Sequence, residues 1–290
     1  MTRSGRLSNT HGLSLHLENP VSVTAYWTLA IRYDDAASAR PIAGDYVASR
    51  FMNADARAVA ARFRLLKRAN ASFPVRHRLI DERLAAELTR DRGMRVIVLG
   101  CGFDSRAYRL EGGRWIEVDE GALLAYKEER LPAAEAPNDL VRVPIRFAEE
   151  SLEEKLRPFA TGDRAAVVLE GVIGYLSDGE RRKLLTTLTD LFPHHVLVCD
   201  MLTRTFLARY ARKLVRLIRE LGAEFAASSD TPEQLFHELG YRTLDSISVA
   251  LAGAELGAPG APPPWLVRRL PSLRDGYRVW TFEHGATAGW

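Results

Sequence analysis

The sequence predicts an α/β protein: a doubly wound, mostly parallel sheet of about seven strands, with an antiparallel hairpin at its edge and an N-terminal helical cap. Three observations carry this. From residue 95 onward, short runs rich in valine, isoleucine and leucine alternate with helical patterns, as they do where a parallel sheet is covered on both faces. Residues 21–94 show helical spacing alone. Near the end, two strand patterns follow each other across a proline-rich loop with no helical pattern between them, which reads as a hairpin. Three regions result: a flexible N-terminus at 1–20, the cap at 21–94 and the sheet domain at 95–290.

In the cap, Trp27, Leu29 and Ile31 mark a first helix, and Tyr46, Val47, Phe51 and Met52 a second, beyond the break at Pro41 and Gly44. Val59, Phe63 and Leu66 recur along a third at 55–70, and Leu79, Leu84 and Leu88 along a fourth at 75–89. Strands follow at 95–100, 115–119, 140–144, 165–170 and 196–200, with helices at 104–110, 121–130, 152–159 and 177–192. The segment 203–221 is an amphipathic helix that sets Arg204, Arg209, Arg212, Lys213, Arg216 and Arg219 beside Phe206, Leu207, Leu214, Leu217 and Ile218. It leaves the carboxyl end of a strand, where open α/β sheets bind ligands, so it reads either as a substrate lid or as a solvated basic face. A helix at 231–239, with Pro232 in its first turn and Gly240 as its stop, leads to a strand at 241–251. The last strand lies near 276–283, after Pro262, Pro263 and Pro264.

The run Val96-Ile97-Val98-Leu99 ends in Gly100-Cys101-Gly102-Phe103-Asp104. Two glycines let the backbone turn tightly and approach a ligand that a Cβ would exclude. The next strand ends on Asp119, about 20 residues past the first glycine, where a carboxylate can accept hydrogen bonds from ribose hydroxyls. The pattern is a nucleotide-cofactor cradle. A nicotinamide fingerprint asks for a third glycine five positions after the first, and Ser105 stands there instead. S-adenosylmethionine has no pyrophosphate to seat, so the shorter turn suffices for it.

Further motifs carry a resemblance. Residues 98–110, Val-Leu-Gly-Cys-Gly-Phe-Asp-Ser-Arg-Ala-Tyr-Arg-Leu, resemble the first motif of the leucine carboxyl methyltransferase family, including its bacterial branch of polyketide O-methyltransferases. Residues 21–27 resemble the family's N-terminal helix, 76–81 its arginine motif, 117–119 its second strand and 169–176 its fourth-strand motif. The resemblance implies a Rossmann-like, S-adenosylmethionine-dependent methyltransferase whose terminal strand runs against the others. It also implies that Arg76, with Arg78 as a near alternative, pairs with the carboxylate of the cofactor's methionine portion. Gly100, Gly102 and Asp104 would form the cofactor turn, Asp119 would hold the ribose, and Glu170 would lie near the methionine ammonium or the sulfonium. Where the family has an aspartate-leucine pair against the adenine, this chain reads Val143-Pro144-Ile145-Arg146. Adenine would then rest on Ile145 and backbone groups, or on Glu149.

The function expected on this basis is methyl transfer to an oxygen, carboxylate or hydroxyl, of a small molecule in specialised metabolism, catalysed mainly by positioning. Tyr26, Tyr175, Arg204 and Arg209 are the expected substrate contacts. A carboxylate needs no base, whereas a phenol does, and His77, His194 and His195 are the available imidazoles. A nicotinamide oxidoreductase, an RNA methyltransferase and a cofactor-binding protein without turnover stand as alternatives. Composition narrows the rest. With 40 basic and 37 acidic residues in 290, the net charge of +3 gives no general argument for nucleic acid, and none is expected as a partner. Two cysteines exclude a disulfide framework and suit a cytoplasmic protein, with no zinc spacing and so no expected metal. The first twenty residues hold no apolar core of signal-peptide length, and no membrane association is expected.

Overall fold

The computed structural model describes residues 20–147, 149–226 and 229–285; the expected flexible N-terminus, apart from Pro20, lies outside them. Seven strands, β1 (Arg95–Leu99), β2 (Arg114–Asp119), β3 (Asp139–Pro144), β4 (Ala165–Leu169), β5 (His195–Leu202), β6 (Arg242–Ser248) and β7 (Tyr277–His284), form one sheet in the order β3-β2-β1-β4-β5-β7-β6. The first five are parallel, and β7 runs antiparallel to both β5 and β6. Helices α1 (Pro20–Ala36), α2 (Ala54–Phe63) and α3 (Lys67–Arg90) precede the sheet. Between the first five strands lie α4 (Arg106–Arg109), α5 (Gly121–Arg130), α6 (Leu152–Leu156) and α7 (Asp178–Leu191). α8 (Arg204–Tyr210), α9 (Arg212–Glu220) and α10 (Gln234–Glu238) join β5 to β6, and α11 (Val249–Glu255), α12 (Pro264–Arg269) and α13 (Pro271–Arg274) join β6 to β7.

Alternation along the central strands builds two cores. Val96 and Val98 of β1 share one with Ile80, Leu84 and Leu88 of α3, while Ile97 and Leu99 share the other with Leu185 and Leu188 of α7. Because α3 packs directly on the sheet, the helical leader is not a separate layer. Its remaining helices close over the end of α3 through Trp27, which stacks on Phe63 at 4.1 Å between ring centroids.

Several elements differ from the sequence reading. The third and fourth cap helices are α2 and α3, divided at residues 64–66, and α3 begins eight residues early and runs through Pro74. The basic segment 203–221 is two helices, α8 and α9, meeting at buried Ala211; no glycine or proline marks the break. The strand expected at 241–251 stops at Ser248, whose hydroxyl accepts from the Leu251 amide and starts α11. The expected antiparallel pair closes the sheet edge as β7 and β6, with β6 outermost, but three helices rather than a loop connect the two strands. Among the described residues no helix is long and apolar enough to cross a membrane.

Candidate functional site

After β1 the chain turns to one side of the sheet, and after β4 to the other, so the carboxyl ends of these adjacent strands open onto a crevice. A cavity of about 1350 Å³ occupies that crevice and extends beneath α8 and α9. Pockets that hold one small ligand span roughly 300–1,000 Å³. There is room here for two.

The glycine turn forms the floor. Gly100 and Gly102 have φ of +62° and +50°, left-handed conformations that β-carbons disfavour, and a Cβ on Gly100 would sit 2.8 Å from Val172 Cγ2. Asp119, at the end of β2, fixes the turn by accepting from the Gly102 amide at 2.6 Å and the Glu120 amide at 2.7 Å. Burial pushes its carboxyl up, against these two amides. Each oxygen accepts one backbone hydrogen bond, and the carboxylate lines the cavity. Ile145, fully buried, follows β3 on the same wall. Glu149 does not: it is exposed and paired with Arg146, whereas Glu150 reaches the cavity. Pro144 pairs with Asp119 across the β2–β3 ladder.

Arg76 is buried against the opposite wall. Its Nε donates to Glu170 at 2.9 Å, and its Nη1 to Asp200 and the Tyr277 hydroxyl, both at 3.1 Å. Nη1 and Nη2 both lie 3.5 Å from where a Gly171 Cβ would stand, so the guanidinium edge faces the cavity lining. Arg78 is excluded from the wall by its exposed pair with Glu82. Asp200 also accepts from the Gly171 amide at 2.5 Å and so ties the ends of β4 and β5 together.

Behind this wall lies a buried ionic network. Arg106, with no exposed surface, donates to Asp81 at 2.5 Å, to Glu170 at 2.6 Å and to Asp104. Arg109 joins Asp81 at 2.7 Å and Asp45 at 3.2 Å, and His77 lies between the two guanidiniums. Against the cost of burial, Arg106, Arg76 and His77 hold Glu170 well below the usual carboxylate range. Glu170 and Asp104 therefore line the cavity as carboxylates paired with arginine. Ser105, at the third-glycine position, is fully buried with its hydroxyl donating to Asp45 at 2.7 Å.

The expected substrate contacts divide. Tyr175 lines the cavity, stacks on Phe225 at 5.0 Å, and has its hydroxyl pushed up to about 12 by burial. Arg209 lines it as well. Arg204 is exposed and faces Asp230 at 3.4 Å, outside the cavity. Tyr26 is buried in the core of the leader, stacked on Phe103, because the helical register of α1 turns it away from the wall that its neighbours Ala25 and Trp27 reach. His195 begins β5 at the far edge of the sheet, bonded to Tyr241, and His194 is beside it. Sequence reasoning missed Asp200 and Tyr277. Asp200 carried a signal, since it is an acid ending a strand as Asp119 does; Tyr277 had none, because its partner Arg76 is 201 residues away.

Sheet order and cavity define the class: this is the Rossmann-like methyltransferase fold, and S-adenosylmethionine is the cofactor of that class. The chain belongs to the leucine carboxyl methyltransferase family, whose model matches residues 25–189. Over 269 residues it is 25% identical to the tetracenomycin polyketide synthesis O-methyltransferase TcmP of Streptomyces glaucescens, covering 89% of this chain and 95% of that one. A candidate S-adenosyl-L-methionine-dependent methyltransferase of Parafrankia sp. is 37% identical over 137 residues, but the match spans only 44% of this chain and 43% of that protein. Among solved structures, a methyltransferase-like protein from Thermobifida fusca superimposes with a TM-score of 0.61 at 19% identity, covering 94% and 97% of the two chains. That likeness shows the fold.

The residues present fit the cofactor. The glycine turn holds a left-handed backbone that β-carbons would strain or crowd, Asp119 offers acceptor capacity to a diol, and Arg76, bonded through Nε and Nη1 to Glu170, Asp200 and Tyr277, has Nη2 left to offer a carboxylate. Among the described residues no group of histidine, cysteine, aspartate and glutamate is placed to hold a metal ion.

Proposed function

We propose that this protein is an S-adenosylmethionine-dependent O-methyltransferase acting on a small molecule of specialised metabolism. The observation that carries it is the union of Asp119, the two left-handed glycines and Arg76 on the walls of a cavity with room for a second ligand. The extended match to TcmP, an O-methyltransferase of polyketide synthesis, supports the oxygen acceptor and the substrate class.

When bound, the cofactor supplies a methyl carbon activated by a sulfonium. Asp119 accepts the ribose hydroxyls, Gly100 and Gly102 admit close backbone approach, Ile145 packs on the adenine, and Arg76 pairs with the carboxylate. Catalysis then consists of aligning the acceptor oxygen in line with the methyl carbon and excluding water. A carboxylate acceptor suits this cavity better than a phenol. His77 is held between Arg106 and Arg109, His194 and His195 lie at the far edge of the sheet, and burial keeps the Tyr175 hydroxyl protonated at neutral pH, so it is no base.

Calorimetry with S-adenosylmethionine, its demethylated product and NAD tests the reading. The first two bind and NAD does not; NAD binding alone would overturn it.

A further inference from the structure

The mouth of the cavity carries a charge pattern that methyl transfer itself does not require. Lys67 and Arg68 at the start of α3, Arg209 at the end of α8, and Arg212 and Lys213 at the start of α9 all line it, and all five are exposed. Among the described residues none of these five side chains has an ion-pair partner. Other cations of α8 and α9 are paired: Arg204 faces Asp230, Arg216 faces Glu220, and Arg219 faces Glu224. Two of the acids on the lining are matched by other cations, Glu150 by Lys155 and Glu153 by Arg157, while Glu120 and the Ser177-capped Glu180 keep their charge on the segments after β2 and β4, away in sequence from the helix ends that carry the five. Nor are the cations on loose elements. Leu214, Leu217 and Ile218 of α9 pack with Leu66, Ala69 and Phe73 beside Trp27, which holds the two basic helix starts in one frame.

Five like charges on one cavity lining, none with an ion pair of its own, repel one another, and low-dielectric walls focus their field at the mouth. One bidentate guanidinium satisfies a carboxylate. The excess here fits a group with more than one negative charge, and lysine suits phosphate as a point charge. Deeper in, Tyr175, Phe206, Phe225 and Leu202 offer an apolar, largely aromatic wall. We propose that the acceptor carries a phosphate-type anion, held at the mouth by Lys67, Arg68, Arg209, Arg212 and Lys213, apart from the oxygen that is methylated and joined to it by an apolar body. This rests on the methyltransferase reading of the cavity.

The test uses the full chain loaded with the demethylated cofactor, titrated with 1-naphthyl phosphate, 1-naphthoate and 1-naphthol. The phosphate binds at least about tenfold tighter than either of the others, and its affinity falls as salt is raised. In Arg212→Gln/Lys213→Gln that preference drops by about tenfold with cofactor-product affinity unchanged, while Arg216→Gln/Arg219→Gln, with the same charge loss on the same helix, retains it. Equal affinity for the three probes, preference for the carboxylate, or equal loss in the two double variants would overturn the proposal. Failure of the cofactor product to bind would instead overturn the methyltransferase reading; the same three probes titrated into the unloaded protein then still decide what the mouth recognises.

Discussion

Replacing Arg106 by methionine removes a guanidinium that touches three carboxylates on three different elements: Asp81 of α3, Asp104 of the glycine turn and Glu170 after β4. The side chain has no exposed surface, so water cannot take its place. Breaking a buried ion pair from one side costs about 3–5 kcal/mol, because the partner's charge stays buried without compensation. The three acids are not equally orphaned. Asp81 keeps Arg109 and Glu170 keeps Arg76, whereas Asp104 keeps the residue 106 amide and the longer-range field of Lys127 but, among the described residues, no ion pair. A loss toward the lower end of that range, about 3 kcal/mol, is therefore expected. It should appear in urea unfolding as a lower midpoint at unchanged slope. Arg106→Met/Asp104→Asn, which removes the stranded charge as well, should recover at least about 1 kcal/mol. The acid limb supplies a second readout. Asp81 and Glu170 are held below their ordinary values, so their contribution is fully present above about pH 5 and is lost as pH falls through the folded values. The variant should lose less stability than wild type over that window. A loss below about 1 kcal/mol with an unaltered acid limb would refute the idea that this network holds the leader, the turn and β4 together.

Other outcomes follow from single residues. Asp119→Asn should weaken S-adenosylmethionine binding by about 10- to 100-fold in calorimetry, the range for a lost hydrogen bond to a charged group, while NAD binding stays absent. Gly100→Ala places a methyl 2.8 Å from Val172 at φ +62°, and should cost about 2 kcal/mol in thermal or urea unfolding; a neutral result would mean the turn relaxes freely. His195 is depressed to about 4 by burial, so unfolding takes up a proton below the ordinary value near 6.5. Stability should fall by about 3 kcal/mol as pH drops from 6.5 to 4, at about 1.4 kcal/mol per unit, and His195→Gln should flatten that limb.

Much of the fold was legible because burial on both faces writes itself into continuous apolar runs, as in Val96 to Leu99 and Ala165 to Leu169. The sheet edge was less so. Strand order depends on non-local pairing, and nothing in the residues of β6 and β7 says which lies outermost. In the site, Asp119 and the glycines were readable from local geometry. Glu170 and Asp104 were seen as acids but not as paired with arginine, since Arg106 reaches them through tertiary packing. Arg204 and Arg209 look alike in sequence, and only the direction of α8 sends one to Asp230 and the other to the cavity.

The place of β7 between β5 and β6 bears on how the molecule comes into being. Tyr277, the first residue of that strand, bonds both Arg76 and Asp200, so the wall around Arg76 joins stretches of chain made far apart in time. During synthesis the glycine turn and Asp119 can settle long before Tyr277 has left the ribosome, while Arg76 and Asp200 wait without the hydroxyl that bridges them. Until that last strand is made, the wall around Arg76 lacks the Tyr277 hydroxyl, and β6 has no neighbour through which to join the sheet.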